Sequence, residues 1–457
     1  MYKRSSWKTY QARLNRTKRI KRRALSILKY AGYFSVFLFV IYLSIVWSGA
    51  WFGGIACHYR QRNKAVLNDK TSLSENNDHT LAKKDVQTLL DRKSFINIKD
   101  ESFSFDLNGK NCYIDTSIDI SLQNFILKKM NVSTSRYIGI VVMDPSTGRV
   151  LSMTGFDKKD SKGNPCINDR FPAASIFKII TAAAAIEKCG FNSNSRFNYN
   201  GKKHTLYKSQ LKERKNRYTN YVTLKKSFAQ SINPVFGKIG ALYLGKSALE
   251  KYAAAFGFNQ HIDFEIPFLP SRFSISDQPY QWAEIASGFN KDTVISPLHG
   301  ALMASVIINQ GRLIEPTIID KIIDDKGKIL YQSRMTLVDK AIKPDTSRIL
   351  TNMMTATIKS GTGRKVFRGY RKDRVLSRLN IGGKTGSIDN RTHDVRYDWF
   401  VGFAKERNGP KEIVASIVVA HEKYIGTKAC QYARIIFKRY FKDYFAKNSV
   451  TMTHDKG

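Results

Sequence analysis

Between Lys29 and His58 the chain carries no charged residue. The 28 positions of that run, YAGYFSVFLFVIYLSIVWSGAWFGGIAC, exceed the ~20 apolar residues a helix needs to cross a bilayer. Tyr30, Trp47 and Trp51 lie toward its ends, where amphipathic rings favour the membrane interface. Residues 1–30 hold eleven Lys/Arg and no acid, which places the N-terminus in the cytoplasm by the positive-inside rule. A cleaved signal peptide has an apolar core of only about 7–15 residues. Cys57, after Gly54-Ile55-Ala56, lacks the leucine of a lipoprotein cleavage box. The expectation is an uncleaved single-pass anchor in the cytoplasmic (inner) membrane. Everything beyond about residue 57 is then periplasmic or otherwise extracytoplasmic.

With 76 Lys+Arg against 37 Asp+Glu the net charge is +39. The tail accounts for +11, residues 58–110 for +2 and residues 111–457 for +26. Topogenesis and anionic lipid explain the basic tail, so no nucleic-acid partner is expected. The five cysteines, Cys57, Cys112, Cys166, Cys189 and Cys430, are too few and scattered for a disulfide framework, and none forms a C-x-x-C pair.

Residues 58–111 are polar and mixed in charge and read as a stalk with one short helix near 80–91. From about 112 the texture changes. A short amphipathic helix is expected at 122–130, and a hairpin from strands 137–143 and 149–154 around the turn Asp144-Pro145-Ser146-Thr147-Gly148. Residues 174–188 are apolar and Ala-rich with Gly190 as a C-terminal cap, and 221–256 has helical periodicity interrupted near Asn233-Pro234. Residues 202–217 form a strongly basic surface lobe. Strands return at 378–381, 398–404 and 412–421, followed by a final amphipathic helix at 430–445. Strands at both ends and helices between them predict an α+β fold, one antiparallel sheet completed from both termini and flanked by helices. The predicted organisation is tail 1–29, anchor 30–57, stalk 58–111, main domain 112–446 and a polar end 447–457.

Ser-x-x-Lys occurs at Ser5/Lys8, Ser26/Lys29, Ser175/Lys178 and Ser209/Lys212. Only Ser175 opens an apolar helix, FPAASIFKIITAAAA. Residues i and i+3 share a helix face, so Lys178 can lie beside the Ser175 hydroxyl. Burial favours the neutral amine that could accept its proton, and a second cation would favour it further. That is an activated nucleophile with its general base. Ser231-Ile232-Asn233 follows at a helix interruption; its hydroxyl suits proton relay and its amide suits a substrate carbonyl. Lys384-Thr385-Gly386-Ser387 occurs once, after Gly382-Gly383 in a strand-like stretch. Its cation can hold a substrate carboxylate and depress the pKa of Lys178, and Gly386 leaves space for a substrate backbone laid alongside as an added strand. The backbone N–H groups of Ser175 and Ser387 can form an oxyanion hole.

These three motifs in this order resemble the penicillin-binding protein and serine β-lactamase superfamily, with its S-x-x-K, S-x-N and K-T-G triplet. IDTSIDISLQNFI, VVMDPSTGRVLSMTGF, SPLHGALMASVIINQG, Ser360-Gly361-Thr362-Gly363 and Trp399-Phe400-Val401-Gly402-Phe403 fit as well. The resemblance spans roughly 112–445. It implies a β-lactamase/D,D-transpeptidase-like fold and a monofunctional, class B-like enzyme. Ser175 would attack a D-Ala-D-Ala stem peptide of peptidoglycan, release D-Ala and pass the acyl group to an amine, forming a cross-link. β-Lactams would acylate the same serine. The expected residues are Ser175 (nucleophile), Lys178 (base), Ser231 (relay), Asn233 and Lys384, with Thr385, Gly386 and Ser387 binding substrate.

About 55 residues between membrane and main domain leave no room for a glycosyltransferase or for the sizeable pedestal of elongation and division enzymes. A D,D-carboxypeptidase or endopeptidase carries the same triplet. A class A β-lactamase would need Glu-x-x-x-Asn, which none of Glu250, Glu265, Glu284 and Glu315 provides. A non-catalytic β-lactam sensor or cell-wall scaffold is the alternative of another class. Other cell-wall synthesis proteins are possible partners. No metal or cofactor is expected, because no His/Cys/Asp/Glu cluster has ligand spacing and no Gly-rich phosphate loop follows a strand.

Overall fold

A computed structural model describes residues 81–457 apart from 91–94, 108–109, 169–170 and 455–457. The tail, the uncharged run and Cys57 lie outside the described residues. Among the described residues no helix is long and apolar enough to cross a membrane.

The strands of the two larger sheets are β1 (Ser102–Leu107), β2 (Lys110–Thr116), β3 (Ser135–Met143), β4 (Val150–Asp157), β5 (Ile319–Asp324), β6 (Ile329–Gln332), β7 (Leu379–Asp389), β8 (Arg396–Glu406) and β9 (Glu412–His421). Five of them form one antiparallel sheet in the order β7-β8-β9-β3-β4. The first hairpin and the last three strands therefore meet in one sheet, as their apolar patterns predict. Both faces are buried, so these strands read as nearly continuous apolar runs. The period of two still sorts them: Ile138, Ile140 and Val142 join one core cluster, while Tyr137, Val141 and Met143 join the other.

The helices are α1 (Lys83–Leu89), α2 (Ile120–Lys129), α3 (Lys178–Cys189), α4 (Leu224–Ala229), α5 (Asn233–Lys238), α6 (Gly245–Ala255), α7 (Pro279–Ser287), α8 (Pro297–Ile308), α9 (Pro344–Lys359) and α10 (Ala429–His454). α8 lies against β3, β8 and β9, and α10 lies against β8 and β9. Leu298, Leu302 and Val306 of α8 fall in one core cluster and Tyr432, Ile436 and Phe437 of α10 in the other, so the two helices cover opposite faces of the sheet.

The structure adds detail to three of the expected segments. Strand β1 lies in the segment whose composition reads as stalk, yet it pairs with β2 in the register Phe105↔Cys112, and β2 pairs with β5 to give a second sheet, β1-β2-β5-β6. A division at 112 would cut that hairpin. The helical stretch 221–256 breaks near Asn233-Pro234 as expected, and it comprises a short strand (Asn220–Thr223), α4, α5, a π-turn (Ile239–Leu244) and α6. Thr223 caps α4 by accepting from the Lys226 N–H, and Ser231 at φ 55° breaks the helix before Pro234 restarts it. The run from Ala174 opens as a 3-10 turn to Phe177, and Gly190 ends α3 at φ 65°. Cys112, Cys166, Cys189 and Cys430 are free thiols.

Candidate active site

Four chain segments converge on Ser175. The 3-10 turn carries Ser175 itself, and the first residue of α3 is Lys178, fully buried. The break between α4 and α5 supplies Ser231 and Asn233, both more than nine-tenths buried. Strand β7, at an edge of the five-stranded sheet, carries Lys384 through Ser387, and the C-terminus of α7 supplies the Ser287 carbonyl.

Lys178 Nζ lies 2.8 Å from Ser175 Oγ and 2.8 Å from Asn233 Oδ1, and it also meets the Ser287 carbonyl oxygen. A neutral amine has two N–H bonds and one lone pair. If the N–H bonds go to Asn233 Oδ1 and the Ser287 carbonyl, the lone pair faces the Ser175 hydroxyl. Burial, and then the Lys384 cation, push the Lys178 pKa well below its ordinary value, which favours this neutral form. Lys384 donates to Ser231 Oγ at 2.9 Å and to the Thr385 carbonyl at 2.8 Å. Burial lowers its pKa to about 7.

The backbone around the nucleophile is held tightly. Ala174 has φ 49°, a conformation uncommon for a residue with a side chain and characteristic of constrained sites. Gly288, at φ 63°, packs directly on it: a Cβ there would lie 1.8 Å from the Ala174 carbonyl oxygen. A Cβ on Gly386 would stand 3.3 Å from the Ser175 nitrogen, so β7 runs alongside the nucleophile's amide. Among the described residues the order of the sheet leaves the other side of β7 without a strand neighbour, which suits addition of an extended peptide.

Every residue singled out from the three motifs is in this region. Two have engagements the sequence does not suggest. Asn233 Nδ2 donates to the His204 carbonyl at 3.0 Å, which fixes the amide with its oxygen toward Lys178. Exposed Ser387 donates to Asp398 Oδ1 at 3.1 Å. Sequence reasoning missed the Ser287 carbonyl, Gly288, the Lys203–His204 backbone and Thr362, whose hydroxyl lies 2.5 Å from that of Thr385. The Ser-Gly-Thr-Gly motif holding Thr362 was legible; a carbonyl that accepts a bond has no side-chain signature. Among the four glutamates weighed, Glu265 is buried with Thr317 and Tyr331, Glu315 pairs with Lys83, and Glu250 and Glu284 lie on α6 and α7. Among the described residues no group of three His, Cys, Asp or Glu is placed to hold a metal ion.

The sequence model of the penicillin binding protein transpeptidase domain matches residues 138–442. This chain belongs to that family. The penicillin-binding transpeptidase domain therefore takes in the nucleophile turn, the helix break and β7 together. Among relatives, penicillin-binding protein 1A of Neisseria lactamica is 26% identical over 62% of this chain and 32% of its own length. The peptidoglycan D,D-transpeptidase PbpA of Mycolicibacterium smegmatis is 24% identical over 61% of each chain. The chain thus spans from about a third to under two thirds of the length of these relatives. The D,D-transpeptidase domain of a peptidoglycan glycosyltransferase from Eggerthella lenta shares the fold, with TM-score 0.60 and 20% identity over 72% of this chain and 83% of that one.

Proposed function

We propose that this penicillin-binding transpeptidase domain acts as a serine D,D-transpeptidase on peptidoglycan stem peptides ending in D-Ala-D-Ala. The observation that carries this is Lys178 Nζ at 2.8 Å from both Ser175 Oγ and Asn233 Oδ1 in a fully buried position. The Ser175 proton passes to the Lys178 lone pair as Oγ bonds to the carbonyl carbon of the penultimate D-Ala. Charge on the carbonyl oxygen falls to the N–H groups of Ser175 and Ser387. The C–N bond then breaks, and Ser231 relays a proton to the departing D-Ala amine. An acceptor amine then attacks the acyl-serine carbonyl carbon, the ester C–O bond breaks, and the proton the amine gives up returns through Lys178 to Ser175 Oγ. Lys384 holds the terminal carboxylate, with Thr385 beside it and Gly386 giving the substrate strand room.

β-Lactams acylate Ser175 by the same steps. The uncharged run 30–57 and the basic tail support a single-pass anchor with this domain outside the cytoplasmic membrane, where its polymeric substrate and other cell-wall synthesis proteins are met.

The test is the full chain in detergent micelles with a D-Ala-D-Ala stem peptide and an amine acceptor. D-Ala release matched by new amide is the expected result. D-Ala release with only the hydrolysed peptide would make it a carboxypeptidase, and catalytic hydrolysis of penicillin would make it a β-lactamase. Neither D-Ala release nor a penicillin adduct would leave a non-catalytic scaffold.

A further inference from the structure

The basic segment 202–217 contains Lys202, Lys203, Lys208, Lys212, Arg214, Lys215 and Arg217 against a single acid, Glu213. That acid is already engaged, accepting from Lys238 at 2.9 Å and from the Asn198 amide at 3.1 Å. None of the seven cations is in an ion pair among the described residues. Lys203 donates to Gln230 at 2.7 Å, Lys208 lies over the Tyr280 ring and Arg217 over Tyr218. Lys202, Lys212, Arg214 and Lys215 are exposed. Tyr207 and Tyr218, also exposed, interleave with them. A solvated face with no ligand would explain the charge alone, but it would not explain where this segment is anchored.

The anchor is the candidate site itself. The Asn233 N–H donates to the Lys203 carbonyl at 2.7 Å, and the Asn233 side chain donates to the His204 carbonyl. His204 Nδ1 lies 3.2 Å from the Ser231 carbonyl, and burial, Lys178 and Lys384 together hold this imidazole below its ordinary pKa. Tyr280 donates to the Leu206 carbonyl, and buried Gln210 ties Asn200 to the segment. The lobe is thus fastened to Asn233, whose side-chain oxygen lies 2.8 Å from the lysine that in turn lies 2.8 Å from Ser175 Oγ.

We infer that the 202–217 lobe is an extended subsite that binds carboxylates of an acidic stem peptide as its D-Ala-D-Ala end reaches Ser175. The inference rests on the D,D-transpeptidase reading. Attachment to Asn233 favours a ligand that reaches the nucleophile over a lipid surface. A cluster of unpaired cations at the rim of a low-dielectric cleft raises the local concentration of anions and their rate of capture, and salt screens the effect.

The test uses the full chain in detergent micelles and two peptide donors ending in D-Ala-D-Ala. They differ only in whether the second stem residue carries a carboxylate or a carboxamide. The carboxylate donor is expected to acylate Ser175 about tenfold faster at low salt, with the difference collapsing near about 0.5 M salt. In Lys202→Gln/Lys212→Gln/Lys215→Gln the preference disappears, while penicillin labelling stays within about twofold of wild type. Equal rates for both donors in wild type, at every salt concentration, would overturn the inference, as would a preference the variant keeps. Loss of binding to anionic vesicles in the variant, without any donor preference in wild type, would assign the lobe to lipid instead. No penicillin labelling at all would instead remove the enzymatic reading on which the inference rests. Equal rates across the wild-type salt series overturn the inference even if the triple variant does not fold, and the single variants Lys202→Gln, Lys212→Gln and Lys215→Gln then locate any preference that wild type shows.

Discussion

Two of the places where the described residues bury ionisable groups treat them differently. Below the second sheet, Glu265 is fully buried and saturated with donors: Thr317 Oγ1 at 2.5 Å, Tyr331 Oη at 2.7 Å and the Ile318 N–H at 3.1 Å, with the Lys83 cation nearby. Such a group ties strands together and has little left to react with. In the cleft, Lys178 and Lys384 are equally buried, but their bonds run to hydroxyl, amide and carbonyl oxygens. Nothing there holds a proton firmly on Lys178. Burial without a counter-charge is unfavourable for folding and useful for chemistry, because it keeps an amine unprotonated, with its lone pair free, where a proton must be taken.

The largest expected effect breaks the cleft side of this contrast. Lys178→Met should fold, since the site is apolar and enclosed, and should slow penicillin acylation by about 10³-fold in a stopped-time labelling assay. Retention of near-normal acylation would show that another group takes the proton. Glu265→Ala attacks the other side. It leaves three donors unsatisfied and should lower stability by about 3 kcal/mol in urea unfolding, with the acylation rate of the folded fraction unchanged.

Lys384→Met sharpens the contrast through pH. The folded pKa of about 7 lies below the ordinary 10.5, so between these values the unfolded chain holds a proton that the native form sheds. Wild-type stability therefore rises with pH through that window and is lowest below it. The variant should be about 2 kcal/mol more stable than wild type at neutral pH, with the gain vanishing near pH 10.5. It should also lose carboxylate binding. The smallest effect is local: Gly386→Ala presses a methyl toward the Ser175 amide and should slow acylation about tenfold while changing stability by under about 1 kcal/mol.

Much of this was legible in the chain. Nearly continuous apolar runs marked the strands of the large sheet, and three motifs with fitting context named the residues gathered around Ser175. Two kinds of feature were not legible. Phe103 and Phe105 alternate as a strand should, but the polar residues around them read as stalk, and the partner that makes β1 a strand, Lys110–Thr116, straddles the segment boundary at 112. The Ser287 carbonyl and the Lys203–His204 backbone reach the site because the fold carries them there. Their side chains say nothing of it. Local pattern encodes elements and reactive groups, whereas backbone oxygens brought in from α7 and from the basic lobe are set by topology.

The most direct test is intact-mass analysis of the full chain after incubation with benzylpenicillin, beside Ser175→Ala. One penicilloyl adduct on wild type and none on the variant is the expected result. An adduct that survives the substitution, or a folded wild-type chain that never acquires one, would contradict Ser175 as a nucleophile activated by a buried, neutral Lys178.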